Sequence, residues 1–296
     1  MPKPQQPPRK HHYLPAFFIE RWASADDQMV WSYTVPHQKV DIKRKHSTAT
    51  GFAPDLYSLS AGTPAEQQAI ESGFMQKLDS RGAAALKAVL AAAGKPREAA
   101  VASDWVRLAS SLISRSPNRV AEIGGFARAR DHAADDATRE RYASMRGPDW
   151  PATFEDYIAD HRDRRFDEDI GKVVVTRLAN SSRIGQAIMD MTWGVRILGP
   201  SAPTLLLSDE PVSYSRLEHE DGVLVMPMGP REAFIATKDP SFVGNLLQVS
   251  EVQFVKTTNR KTVDRAMSVV VSSDRSHDAL IKARFKPSGS GGAQTA

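Results

Sequence analysis

Hydrophobic and polar positions change their spacing along the chain, and each change predicts a different kind of element. Residues 29–35 are mostly β-branched or aromatic and end at a proline, which predicts a strand, with residues 40–43 as its partner. Across residues 64–93, apolar side chains recur at near-helical spacing. A second apolar helix is predicted from Ser103, a suitable N-cap, to Pro117, which interrupts it.

The same spacing divides the rest of the chain into two parts. Residues 64–193 are rich in helical patterns, whereas residues 194–275 contain short apolar runs separated by Gly and Pro, which is typical of strands. A short helix at 260–266 and a last strand at 267–271 complete this second part. Because regular βαβα alternation is absent, we predict an α+β fold. N-terminal short strands and the helical middle would pack against a mostly antiparallel C-terminal sheet, in a single domain over residues 11–284.

The two ends of the chain have compositions that do not suit a folded core. Residues 1–10 contain four prolines, and residues 285–296 include a Ser-Gly-rich run, so we expect both to be flexible tails. The N-terminal tail also carries Lys3, Arg9 and Lys10. These charges contribute to a net charge of +4, a small excess of 39 basic over 35 acidic residues. They permit weak binding to nucleic acid or contribute only to solubility.

Composition excludes several kinds of chemistry. The chain has no cysteine, which excludes disulfides, zinc-thiolate sites and cysteine nucleophiles. Charged residues make up 25% and hydrophobic residues 41% of the 296 residues, as in ordinary globular proteins. No apolar run approaches the roughly 20 residues needed to cross a bilayer, and the N-terminus lacks the apolar core of a secretory signal. We therefore expect a cytoplasmic protein that has no membrane segment.

Short segments distributed along the chain form a recognisable series. In chain order they are His12-Tyr13-Leu14-Pro15 with Phe17-Phe18 and Trp22-Ala23, Val30–Tyr33, Gly51–Ser58, Arg115-Ser116-Pro117, Leu207–Val212, Val225–Pro230, and Asn259 with Ala266 and Val269–Val271. Together they resemble the bacterial DUF4238 family, over residues 11 to 275. The chain departs from the family pattern at Met228-Gly229, usually Leu-Ser, and at Glu210, often Asn. The resemblance implies a fold and candidate positions, but it implies no reaction.

Two adjacent histidines, His11 and His12, open the first of these segments. An imidazole held near a reacting group serves as a general acid or base, because its pKa lies near neutrality. We take His12 as the catalytic candidate. The alternative is structural, with His12 capping the following helix or filling a hydrogen-bonded niche. The chain contains no His-x-x-x-His or His-Glu-x-x-His pair, so the histidines do not indicate a metal site.

Ser208, Asp209 and Glu210 follow an apolar strand, where side chains are commonly presented to a cleft. Asp209 could orient a histidine, or hold a divalent cation together with Glu210. Alternatively, Asp209 forms a turn by accepting from its own downstream backbone. Ser208 is a candidate for substrate binding, since it lacks the Gly-x-Ser-x-Gly elbow of a serine nucleophile.

Arg115, Asn118 and Asn259 are further candidates for substrate binding. Arg115 lies at a predicted helix C-terminus, where its charge complements the helix dipole, or it binds a phosphate or carboxylate through its planar fork. Asn118 is close enough in sequence to assist. Asn259 either orients a substrate or caps the helix predicted at 260–266.

Two functions therefore remain open. In the first, His12, Arg115, Asp209 and Asn259 converge in a polar pocket between the helical and strand-rich parts, and the protein is a cytosolic hydrolase. In the second, it is a non-catalytic protein that binds nucleic acid or another protein, as the basic tail and the isoelectric point of about 9.2 suggest. The sequence indicates no particular cofactor and does not decide whether the protein is an enzyme.

Overall fold

The computed structural model describes residues 9–132, 136–148, 150–161 and 164–286. These residues form helices and three antiparallel sheets, which confirms the predicted α+β class. The strands are β1 (Lys10–His12), β2 (Met29–Thr34), β3 (Asp41–His46), β4 (Phe52–Pro54), β5 (Thr192–Ile197), β6 (Leu207–Ser208), β7 (Ser213–Ser215), β8 (Val223–Gly229), β9 (Glu232–Thr237) and β10 (Val270–Ser272). The helices are α1 (Ala16–Ile19), α2 (Pro64–Gln67), α3 (Gln76–Ala91), α4 (Ala99–Ser114), α5 (Pro117–His132), α6 (Asp136–Met145), α7 (Phe154–His161), α8 (Arg164–Ala179), α9 (Ser182–Met189), α10 (Pro240–Gln248), α11 (Glu251–Arg265) and α12 (Asp278–Arg284).

Strands from the two ends of the chain share one sheet. Its order is β3-β2-β10-β6, with Val270 of β10 opposite Tyr33 of β2. A second four-stranded sheet has the order β5-β9-β8-β7, and β1 pairs with β4 in a separate ribbon. From the sequence, we predicted that the N-terminal strands pack against a C-terminal sheet. In the structure, β2 instead pairs with the C-terminal strand β10 within one sheet. Tyr33 and Val270 are both fully buried, so this pairing removes two apolar side chains from water.

Helix α4 connects the helical part of the molecule to the β5–β9 sheet. The ring of Trp105 meets the ring of Phe234 edge to face, with centroids 5.4 Å apart. On its other side, α4 packs so closely on α3 that a Cβ added at Gly82 would lie 2.8 Å from a methyl carbon of Leu108. The N-terminal segment joins the same core, where the indole of Trp22 donates to the carbonyl of Leu205 at 2.7 Å. One apolar core therefore extends from the N-terminal segment to the sheet.

The helices predicted at 64–93 and from Ser103 have different limits in the structure. The first divides into α2, a π-helix over Ala69–Met75, and α3. The second, α4, begins at Ala99, so Ser103 lies inside the helix rather than at its N-cap. The N-cap position belongs to Glu98. Capping preferences are weak compared with the burial of an apolar stripe, which explains the earlier start.

Helices α5 and α8 cross at Gly124 and Gly171. A Cβ at Gly171 would overlap the carbonyl oxygen of Val120, and it would lie 3.2 Å from the Cα of Gly124. The two backbones therefore approach more closely than side chains would permit, so these glycines permit helix contact rather than flexibility.

The folded region is longer than predicted at both ends. Lys10 is the first residue of β1, and Arg9 forms an ion pair with Asp55 at 2.9 Å. At the other end, Phe285 is 4% exposed and packs with Ile281 in an apolar cluster. The remainder of both predicted tails, residues 1–8 and 287–296, lies outside the described residues.

Candidate functional site

The two N-terminal histidines have different surroundings because β1 places consecutive side chains on opposite faces. His11 is fully buried, and its ring stacks on that of Tyr57 with centroids 5.9 Å apart. The backbone N–H of Tyr57 donates to Nδ1 of His11 at 2.9 Å, and Nε2 lies 3.0 Å from Oε1 of Gln68. Because Nδ1 accepts, the proton of the neutral ring is on Nε2 and is donated to Gln68. Both ring nitrogens of His11 are thus engaged, one by the loop before α2 and the other by the residue that follows α2.

His12 lines a surface cavity of about 560 Å³, which we call the His12 cavity. Its lining residues are Lys10, His12, Ala16, Phe17, Glu71, Gln76, Asp79, Ser80 and Ala83. Nε2 of His12 is buried and has no hydrogen-bond partner among the described residues. Burial lowers the pKa of His12, although contact with the backbone of Thr48 and the charge of Asp79 act in the opposite direction. His12 is therefore neutral at pH 7.

Glu71 lies in the π-helix on the wall of the same cavity and is only 8% exposed. Its Oε2 has no partner among the residues described. Burial and the neighbouring charge of Asp79 raise the pKa of Glu71 to about 7, and Arg115 opposes this rise. Because π-helical turns are frequent at functional sites and perturbed carboxyl groups serve as acids and bases, this residue is the strongest proton-transfer candidate in the cavity.

Asp79 is held in the cavity wall by the buried side chain of Arg115. Nη1 of Arg115 donates to Oδ1 of Asp79 at 2.7 Å, and Nε donates to the carbonyl of Tyr13 at 2.6 Å. Arg115 is 1% exposed and follows the last turn of α4, as the sequence predicted. The guanidinium group of Arg115 therefore binds a carboxylate of the protein, that of Asp79, rather than a substrate. Arg115 also links Asp79 of α3 to Tyr13, the residue after His12. These two hydrogen bonds hold the cavity wall beside His12.

Asp209 is buried and accepts hydrogen bonds from a distant backbone segment. Oδ1 receives the N–H groups of Met267 at 3.0 Å and Val269 at 3.5 Å, and Oδ2 receives that of Ser268 at 2.8 Å. The predicted turn, in which Asp209 bonds to its own downstream backbone, does not form this way. Ser208 instead accepts from the backbone N–H of Glu210 at 3.3 Å. The carboxylate of Asp209 fixes the chain between α11 and β10.

Burial raises the pKa of Asp209 to about 7, with Glu210 adding to the rise and the three backbone N–H groups opposing it. Glu210 is itself engaged, accepting from the hydroxyl of Ser116 at 2.7 Å and from Nε of Arg119 at 3.2 Å. Asn118 donates to the hydroxyl of Ser268 at 3.2 Å. The segments that follow α4 and β6 therefore contact each other through structural hydrogen bonds.

Asn259 lies in the middle of α11, and it does not cap a helix at 260–266. The helix begins after Ser250, whose hydroxyl accepts from the N–H of Gln253. Asn259 accepts from the N–H of Leu206 at 2.8 Å and donates to the carbonyl of Thr204 at 2.9 Å. It thereby satisfies the backbone of the segment leading into β6.

The structure thus brings together only part of the predicted pocket. Arg115 contacts the segment of His12, and its neighbour Ser116 contacts the segment of Asp209. In the described part of the chain, no hydrogen bond joins His12 to Asp209, and Asn259 does not line the His12 cavity. Nor do any three His, Asp or Glu side chains in this part stand where they could hold a metal ion.

The sequence of this chain matches the model of a known family. The model of the family described as "Protein of unknown function (DUF4238)" matches residues 10–276. The chain belongs to the DUF4238 family. No curated protein and no solved structure matches it. In this DUF4238 chain, no helix among the described residues combines the length and apolar character needed to span a membrane.

Sequence reasoning missed Glu71 and Asp79, the two acidic residues of the His12 cavity. A weak signal was present, because residues 71, 75 and 79 are spaced at four and lie on one helical face. Met75, between them, is 1% exposed, so this face is turned toward the protein interior. Two carboxylates on a partly buried helical face indicate a functional site more strongly than the same residues on a solvated face do.

Proposed function

We propose that this DUF4238 protein is a hydrolase that works by general acid–base catalysis in the His12 cavity. The observation that carries the proposal is that two titratable residues line one cavity, each with a buried side-chain atom that has no hydrogen-bond partner among the described residues. Glu71 has a carboxyl pKa near neutrality, and His12 is neutral with an unpartnered Nε2 among the described residues. In acid–base sites, two neighbouring titratable groups typically have environments that leave one protonated and the other deprotonated.

In the proposed reaction, one water molecule cleaves a bond of the substrate: its hydroxyl group joins one product and a proton joins the other. His12 accepts one proton of the attacking water on Nε2 while the water oxygen bonds to the reacting centre. Glu71 gives its proton to the leaving group, whose bond to that centre breaks. Proton exchange with solvent then returns His12 to its neutral form and Glu71 to its acid form. Water thus supplies the hydroxyl group of one product and, through proton exchange, the proton of the other, and no other reactant is consumed.

The remaining residues of the site have positioning roles in this proposal. Arg115 holds Asp79 in the wall, where the charge of Asp79 adds to the rise in the pKa of Glu71 that burial causes. Lys10, exposed at the rim, is available to an anionic substrate group. The hydrogen bonds of Asp209 support a structural role for that residue rather than the catalytic one inferred from the sequence.

The alternative, nucleic-acid binding through the basic tail, has less support. Arg9, one of the three basic residues of that tail, is paired with Asp55 at 2.9 Å. Lys3 lies outside the described residues. Both this alternative and the cytoplasmic location stay predictions.

The proposal is tested by hydrolysis of p-nitrophenyl esters, phosphodiesters and glycosides at pH 6.5. Glu71→Gln and His12→Gln are each expected to lower kcat at least a hundredfold, because general acid–base groups contribute about 10²–10⁴-fold. The matched controls are Glu140→Gln and His37→Gln, which change exposed side chains outside the cavity. Equal rates for Glu71→Gln and Glu140→Gln on every hydrolysed substrate would refute the assignment, as would no hydrolysis of any of these substrates.

A further inference from the structure

A second cavity, of about 320 Å³, lies where α10 and α11 cover β8, and we call it the α10–α11 cavity. It shares no lining residue with the His12 cavity. Its volume is at the lower end of the range of about 300–1,000 Å³ that is typical of small-molecule sites.

The walls of this cavity differ in chemistry. The sheet and α10 contribute an apolar wall, formed by Val223, Val225, Pro227, Phe242 and Leu246. Helix α11 contributes a more polar wall, on which Thr257, Lys261 and Arg265 follow one another at intervals of four residues. A ligand that satisfies both walls is elongated, apolar along most of its length and negatively charged at one end.

Arg265 marks the charged end of the cavity. Its Nε is buried and has no hydrogen-bond partner among the described residues. Its guanidinium lies over the ring of Tyr214, with the central carbon 5.7 Å from the ring centroid. A buried guanidinium nitrogen without an acceptor is costly, so this group is suited to receive an anionic oxygen.

The carboxylate nearest to Arg265 does not satisfy it. Oε2 of Glu210 is 3.8 Å from Nη2 of Arg265, beyond hydrogen-bond distance. Glu210 is already bound by Ser116 and Arg119, at 2.7 and 3.2 Å. Lys261, one turn earlier on α11, is exposed and adds a second positive charge. Two cations facing one engaged carboxylate leave a net attraction for a singly charged anion.

We propose that the α10–α11 cavity binds a medium-chain monocarboxylate, with its carboxylate on Arg265 and its apolar chain against Val225 and Leu246. A single carboxylate matches the planar guanidinium, whereas a doubly charged phosphate would have to lose more hydration beside the apolar wall. This binding is separate from the proposed hydrolysis and does not depend on it.

Octanoate is the probe, with 1-octanol as its uncharged counterpart. Each is titrated into methyl-labelled full-length protein, and the NMR shifts of the Val225 and Leu246 methyl groups give Kd. Octanoate is expected to shift both signals. Arg265→Gln is expected to weaken octanoate at least tenfold while changing the Kd of 1-octanol less than twofold. Arg260→Gln is the matched control, because Arg260 lies on α11 but does not line the cavity.

A second variant, Val225→Trp, fills the cavity and is expected to abolish the shift of the Leu246 methyl groups. The methyl spectrum of each variant shows whether it is folded. The proposal is overturned if octanoate leaves both signals unmoved, or if folded Val225→Trp binds as the wild type does. It is overturned equally if Arg260→Gln and Arg265→Gln weaken octanoate to the same extent.

Discussion

Replacing Glu71 by glutamine should make the folded protein more stable above neutral pH. Glu71 is 8% exposed, and its Oε2 has no partner among the described residues. Burial and the charge of Asp79 raise its pKa from the ordinary value of 4.5 to about 7. Glutamine has nearly the same shape but never ionises, so the variant avoids burying this charge.

The sign follows from proton binding in the two states. Between pH 4.5 and about 7, the folded protein keeps the Glu71 proton and the unfolded chain releases it. The unfolded state therefore binds fewer protons, and the free energy of unfolding of the wild type falls as pH rises through this window. At 1.36 kcal/mol per pH unit, the loss reaches about 3 kcal/mol as an upper limit. Glu71→Gln should match the wild type near pH 4.5 and exceed it by up to about 3 kcal/mol at pH 8.

Urea unfolding followed by circular dichroism at pH 4.5, 6 and 8 measures this difference. Titration of the other acidic groups occurs in both proteins and cancels in the comparison. Glu140→Gln, at an exposed position on α6, should shift the midpoint little at any of these pH values. If Glu71→Gln shows the same stability difference from the wild type at pH 4.5 and pH 8, the raised pKa is refuted.

Two further substitutions test the fold around the site. Asp209→Ala leaves the buried backbone N–H groups of residues 267–269 without their acceptor, so urea unfolding should show a loss of about 3 kcal/mol or more; a loss below 1 kcal/mol would contradict the structural role. Gly171→Ala forces a Cβ onto the carbonyl of Val120 and should cost about 1–3 kcal/mol in the same assay. Gly125→Ala on α5 meets only the end of the Arg128 side chain, at 4.0 Å, and should be neutral or stabilising, so equal effects at the two glycines would contradict the close helix crossing.

Local signals predicted the elements that are determined by nearby residues. The apolar run at 29–35 becomes β2, Met29–Thr34, because its side chains favour a strand and Pro36 follows shortly after its end. Arg115 follows the end of α4 as the apolar stripe indicated. The spacing of short motifs was sufficient to identify the DUF4238 family, and the family match over residues 10–276 confirms it.

Contacts between distant residues could not be predicted from one sequence. The position of β10 beside β2 depends on residues more than 200 positions apart, and no local pattern specifies such a pair. Asp209 has the composition of a turn residue, yet its carboxylate accepts from residues 267–269. Asn259 is a good N-cap by type, but a tertiary contact with Leu206 and Thr204 determines its position. The raised pKa of Glu71 arises from burial, which single-sequence spacing indicates only weakly.

The dependence of kcat/KM on pH tests the central claim most directly. The active form requires protonated Glu71 and neutral His12, and the pKa of His12 is lowered from 6.5 while that of Glu71 is about 7. With the substrate found in the hydrolysis screen, we predict a maximum on the acidic side of pH 7, an alkaline limb near pH 7 that is lost in Glu71→Gln, and an acidic limb that is lost in His12→Gln. Contradiction would be a profile in which both limbs persist unchanged in the two variants.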